Sequence, residues 1–161
     1  MEPRIDYAKT AAEAGAAMMG LEKYVHQAGL DRGLLELVRL RASLINGCAY
    51  CVDMHTKVAR SRGETEQRLY AVSVWRETPF YSERERAALA WTEEVTLVSI
   101  DHVPDDVFNL ARQHFTEKDL VDLTLGDCGD QCMEPSGDCV QNRTWDVRAR
   151  CPFERGARRG P

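Results

Sequence analysis

Leu34 to His55 reads LLELVRLRASLINGCAYCVDMH, and this stretch decides the fold. From Leu34 to Ile45 the apolar residues wrap most of a helical circumference, the pattern of a helix buried on nearly every side. Asp31 stands where an N-cap carboxylate can accept from the first free amides. Asn46-Gly47 interrupts the pattern, and helical character resumes from Cys48 to Arg62. Gly63 then suits the left-handed conformation that ends helices. If the two helices flanking this break pack as an antiparallel pair, Glu36 lies about as far before the turn as the Cys51 to Lys57 stretch lies after it.

Working outward, Thr10 to Ala28 reads as a helix stopped by Gly29, and a shorter one runs from Thr65 to about Trp75. Ser82-Glu83-Arg84-Glu85 has the form of a capping box. It opens a helix from Glu83 to Leu97 with Ala87, Ala88, Trp91 and Val95 along one side. Pro104 suits the first turn of another helix, to about His114. Thr116-Glu117-Lys118-Asp119 starts a last one, carrying Leu120, Val121, Leu123 and Leu125. No stretch alternates apolar and polar residues long enough for a strand. The expected fold is all-α, a compact domain of about six to seven helices over residues 1–125.

Composition supports one such domain: 161 residues, 43% hydrophobic and 29% charged, suffice for a single core. A net charge of −5 argues against nucleic acid as a partner. No apolar run approaches the roughly 18 residues of a membrane span, so no membrane association is expected. The Ala-rich stretch from Ala11 to Met19 has no basic segment before it, so neither a signal nor a transit peptide is read, and the expected location is cytoplasmic. Six cysteines in that compartment are not a disulfide framework.

From Gly126 the composition changes. Five of the eleven glycines and three of the six prolines fall in residues 126–161, and the apolar periodicity vanishes. We read this segment as a non-helical tail, disordered or produced by a shifted reading frame. One choice of codons for Gly126 to Arg143, read one nucleotide on, gives AIAATNAWNRLAIAFRT, a helix-compatible string. Its Trp is forced, because Met133-Glu134 can only be written ATG GA. A Cys-rich zinc tail fits less well: Cys128, Cys132, Cys139 and Cys151 lack the paired spacing of structural zinc sites.

The chemistry concentrates in Cys48-Ala49-Tyr50-Cys51-Val52-Asp53-Met54-His55. Free amides and the helix dipole at a helix start favour a thiolate, lowering a cysteine from about 8.5 toward neutrality. The Cys-x-x-Cys spacing puts both sulfurs on one face, close enough to form a disulfide. His55, four residues after Cys51, lies over that face and can exchange a proton with a thiol. Glu36 interrupts an apolar run, and a carboxylate there needs a partner; it is a candidate proton acceptor or imidazole orienter. A salt bridge to Arg39 or Arg41 is its plain alternative. Two inert buried cysteines, or a zinc site from Cys48, Cys51 and His55 lacking an evident fourth ligand, are the alternatives for the rest. Tyr50, Trp75 and Trp91 read as core or interface aromatics, and His26, His102 and His114 as surface residues.

The Leu34–His55 stretch resembles the carboxymuconolactone decarboxylase superfamily, specifically its alkylhydroperoxidase (AhpD-like) branch. That branch carries a Glu followed twelve residues later by Cys-x-x-Cys and then x-x-x-His, positions filled by Glu36, Cys48, Cys51 and His55. The likeness continues through Glu64 to Arg68, Phe80 to Trp91 and Leu120 to Thr124, about residues 3–125 in all. The shifted-frame string is similar to the family's final helix.

The resemblance implies helical subunits assembled as trimers or hexamers, and a thiol-dependent peroxidase acting on organic hydroperoxides in antioxidant defence. Carried over residue by residue, it makes Cys51 the attacking thiolate, Cys48 its resolving partner, and His55 with Glu36 the proton relay. No bound cofactor is implied; an external dithiol or lipoyl-type electron donor is. Tyr50 stands where the best-studied hydroperoxidase has His. The superfamily's lactone decarboxylases generally lack the cysteine pair. Two further readings stand beside this one: a frameshift-damaged inactive copy, and a decarboxylase-like small-molecule enzyme using Glu36 and His55 alone.

Overall fold

The computed structural model describes residues 7–133, and among these every regular element is helical. In order they are α1 (Tyr7–Thr10), α2 (Ala12–Gln27), α3 (Arg32–Asn46), α4 (Ala49–Ser61), α5 (Glu66–Ala71), a 3-10 segment (Val72–Glu77), α6 (Glu83–Thr96), α7 (Val98–Asp101), α8 (Asp105–His114) and α9 (Glu117–Met133). Seven of the α-helices have six residues or more. No described helix is long and apolar enough to cross a membrane.

α3 is the central rod, packed against α4, α6 and α9. Asp31 caps it, its carboxylate accepting from the Leu34 amide at 2.8 Å. A helix turns about 100° per residue, so its faces can be sorted by position. Leu34, Leu35 and Val38 enter one hydrophobic cluster, with Val25, Ala87, Ala88, Phe115, Leu120 and Leu123 among its members. Leu37 and Leu40 enter a second, with Leu69, Val72, Trp75 and Leu89. A third face carries Glu36, Arg39 and Ser43, and it too is buried. That polar stripe is what the chemistry has to work with.

α6 also lies between the two clusters. Its capping box forms as read: the Glu85 amide donates to the Ser82 hydroxyl at 3.3 Å, and the Ser82 amide donates to the Glu85 carboxylate at 2.8 Å. Trp75 is in the core, and Trp91 packs against the first cluster while its indole N–H donates to Thr124.

Three boundaries differ from the sequence reading. The helix expected from Thr10 to Ala28 is divided at Ala11, whose backbone (φ −143°, ψ 62°) leaves the helical region. α7 has no counterpart in the sequence reading; it is followed by His102 and Val103, both at positive φ. Most consequentially, α9 does not stop at Gly126 but runs on to Met133.

The reason for the third is tertiary. Gly126 is buried where α9 crosses α3, and a Cβ there would stand 2.8 Å from Leu35 Cδ1. The glycine is a point of close approach rather than a stop. Asp127 beside it is buried and accepts from the Thr96 hydroxyl at 3.2 Å. The remainder of the segment read as disordered or frameshifted, residues 134–161, lies outside the described residues.

Candidate active site

The site is built on the α3–α4 turn. Gly47 takes the left-handed conformation (φ 69°) that turns the chain back, and the Gly47 and Cys48 amides both donate to Ser43 O. A Cβ-bearing residue adopts that φ only with strain. The turn delivers Cys48 to the N-cap of α4, where its sulfur accepts from the Cys51 amide at 3.4 Å. One turn further on come Cys51 and then His55, on the same face.

Cys48 and Cys51 are joined as a disulfide, their Cα atoms 5.4 Å apart. The two sulfurs are not equivalent in exposure. Cys51 is 3% exposed, whereas Cys48 is only half-buried. His55 and Glu36 are 2% exposed each, and His55 Nδ1 lies 2.9 Å from Glu36 Oε2. With Glu36 ionised, Nδ1 carries the proton and donates it, and Nε2 becomes the nitrogen able to exchange protons.

Glu36 therefore takes neither arginine that its own helix offers. Arg39 instead reaches α2 and donates to both oxygens of Glu22, at 3.0 and 2.8 Å. Arg41 pairs with Glu93 on α6 at 2.8 Å, and Glu93 also accepts from the Trp75 indole. Each guanidinium has a carboxylate on a different helix, so the Glu36 carboxylate is left to the imidazole.

His26, read as a surface residue, is half-buried on α2 with Nε2 3.8 Å from Glu22 Oε2. Burial, reinforced by the Arg39 guanidinium, pushes it below its ordinary value of 6.5. The sequence offers Arg39 as a partner for Glu36 and His26 as a surface residue; it does not single out Glu22, which lies against both. The available signal was that Glu22 and His26 are one turn apart, beside a buried helix carrying an arginine. Tyr50 is half-buried. Among the described residues no group of three or more His, Cys, Asp or Glu could hold a metal ion.

Among the described residues, then, an all-helical fold carries a Cys-x-x-Cys at a helix start and a buried Glu–His pair beside it. The chain belongs to the carboxymuconolactone decarboxylase family, which residues 12–94 match, and its fold is AhpD-like.

Among individual proteins, it is 45% identical over 125 residues to the uncharacterized protein YdfG of Bacillus subtilis, covering 78% of this chain and 85% of that one. A crystal structure from Agrobacterium tumefaciens, of a protein of unknown function offered as a candidate antioxidant defence protein AhpD, superposes with a TM-score of 0.78. That protein is 44% identical, over 83% of this chain and 91% of the other. The alkylhydroperoxidase AhpD core of an uncharacterized peroxidase-related protein from Ralstonia eutropha shares the fold. Its TM-score is 0.68 at 22% identity, over 79% of this chain and 68% of that one.

Proposed function

We propose that this chain is a thiol-dependent peroxidase, or disulfide oxidoreductase, that reduces organic hydroperoxides in antioxidant defence. The observation that supports it most is the stacking of the Cys48–Cys51 pair and His55 on one face of α4, with His55 held by Glu36 at 2.9 Å.

In the reduced enzyme the Cys51 thiolate attacks the terminal peroxide oxygen, and the O–O bond breaks. The alcohol leaves with a proton supplied through His55, and Cys51 becomes a sulfenic acid. Cys48 then attacks the Cys51 sulfur, expels the hydroxyl as water and closes the disulfide. Glu36 orients His55 and balances the imidazolium that forms between these steps. An external dithiol or lipoyl-type donor returns the two electrons. The chain binds no cofactor of its own in this scheme, and it acts in the cytoplasm.

Assembly as a trimer or hexamer belongs to the same proposal. Exposed Val98, Ile100 and Phe108 on α7 and α8 supply apolar surface of the kind such contacts use. Light scattering of the purified chain tests it.

The test of the activity is consumption of cumene hydroperoxide by the full chain with dihydrolipoamide as reductant. Consumption lost in Cys51→Ser, with a mapped Cys48–Cys51 bridge in the parent, is the expected result. Turnover that survives Cys51→Ser would overturn the thiol mechanism and move the chemistry to Glu36 and His55.

A further inference from the structure

The disulfide is asymmetric, and the asymmetry says which sulfur an external thiol can reach. We propose that the electron donor attacks Cys48 rather than Cys51, so that reduction proceeds through a mixed disulfide on Cys48. This deepens the reading above and rests on it for the donor's role, but the geometry that carries it is independent of any hydroperoxide.

Thiol–disulfide exchange is an in-line displacement: the attacking thiolate approaches one sulfur along the S–S axis from the side opposite the other. Cys48 is half-buried, preceded by the exposed residues Asn46 and Gly47 and followed by exposed Ala49. Cys51 is 3% exposed and lies one helical turn from His55, itself 2% exposed. By residue exposure Cys48 is the more accessible end of the bond for an incoming thiol, and Cys51 is the more enclosed.

Both halves of the exchange are served by this arrangement. In the first, the donor thiol loses its proton to solvent and its sulfur bonds to Cys48 Sγ. The Cys48–Cys51 bond breaks, and Cys51 departs with the electron pair as a thiolate. His55, held by Glu36, is the group on the same helix face that can protonate it.

In the second half, the donor's other thiol attacks the donor sulfur now bonded to Cys48, forming the donor's own disulfide. Cys48 departs with the electron pair and takes up the second proton. The leaving sulfur is then the N-cap of α4, already accepting the Cys51 amide at 3.4 Å at the positive end of the helix dipole. A thiol stabilised as its anion leaves faster. Two electrons and two protons pass from the dithiol to the protein, one of each to each cysteine. The buried thiol is left beside the imidazole, ready for the oxidant, and the accessible thiol faces the donor.

The experiment traps the intermediate. The oxidised full chain is treated with excess glutathione, quenched in acid, alkylated with N-ethylmaleimide and mapped as peptides, which separates this pair from the cysteines beyond it. Glutathione on Cys48 with maleimide on Cys51, at least tenfold over the reverse pattern, is expected.

Should the adduct resolve too fast to collect, the reaction of 2,2′-dithiodipyridine is followed at one pH in Cys51→Ser and Cys48→Ser chains shown by circular dichroism to be helical. Cys48 is then expected to be labelled at least tenfold faster than Cys51. Adduct chiefly on Cys51, comparable labelling rates, or no exchange at either sulfur would overturn the proposal. The two readings fail separately. Exchange at Cys48 without hydroperoxide consumption removes the peroxidase reading alone, and consumption with exchange at Cys51 removes this one alone.

Discussion

Glu36 and His55 bury a carboxylate and an imidazole side by side, 2.9 Å apart, where the low local dielectric strengthens the hydrogen bond between them. General acid–base groups contribute roughly 10²- to 10⁴-fold to rate. Glu36→Gln keeps the shape and removes the charge, and hydroperoxide turnover is expected to fall by a factor in that range while helicity is retained. Arg39 presents a different balance. Its guanidinium and the Glu22 carboxylate are both deeply buried, and breaking such a pair from one side typically costs about 3–5 kcal/mol. Arg39→Met should lower the unfolding free energy by about that amount. The double substitution Glu22→Leu with Arg39→Met should recover most of the loss, because no lone charge then remains inside. Urea midpoints of the three chains check both statements.

At the scale of the element, two helices show how a local signal and a packing demand divide the work. α6 begins where its capping box says, since the groups concerned lie within four residues of one another. Ser82→Ala removes the hydroxyl that satisfies the Glu85 amide and should cost about 1 kcal/mol, read from the shift in urea midpoint. α9 goes on where its glycine suggests a stop, because at Gly126 the missing side chain is what lets α9 approach α3. Gly126→Val would drive two methyls toward Leu35 and Val25. Overpacking of this kind costs about 1–3 kcal/mol, and the same denaturation series should show a loss in that range.

For the whole molecule, the arrangement of charge predicts a stability that falls in acid. His26 is held below 6.5 by burial, with Arg39 adding to the effect. The unfolded chain therefore binds this proton more readily than the folded one. Stability is lost as pH drops from 6.5 toward the lower folded value, and does not change further on this account below it. Glu85 and Asp119 act the same way at lower pH. Burial pushes Glu85 up, but Arg68 and Ser82 outweigh it. The Thr116 hydroxyl and amide hold Asp119 down. What these carboxylates contribute is present above their unfolded values and disappears as pH falls through their folded ones. Urea unfolding from pH 8 to pH 5 should show the histidine part as a downward slope near 6.5 that is flattened in His26→Gln. An unchanged slope in that variant would remove the histidine from the account.

What could be read without coordinates was whatever a single helix holds together. Cys48, Cys51 and His55 fall on one face because 3.6 residues make a turn, and no other part of the chain has to be known for that. The buried character of α3 and the oddity of Glu36 within it were equally legible, since apolar residues surround it in the sequence itself. Partner choice was not. Glu36 shares its helix face with Arg39 yet took an imidazole from α4, while Arg39 and Arg41 each pair with a carboxylate on another helix. Nor could the sequence say that His26 would stand beside Glu22, that Gly126 would be a crossing point, or that one cysteine of the pair would be buried and the other only half-buried. Spacing along a helix is set by covalent geometry and local hydrogen bonds, whereas burial and pairing across helices depend on which surfaces the assembled core brings together.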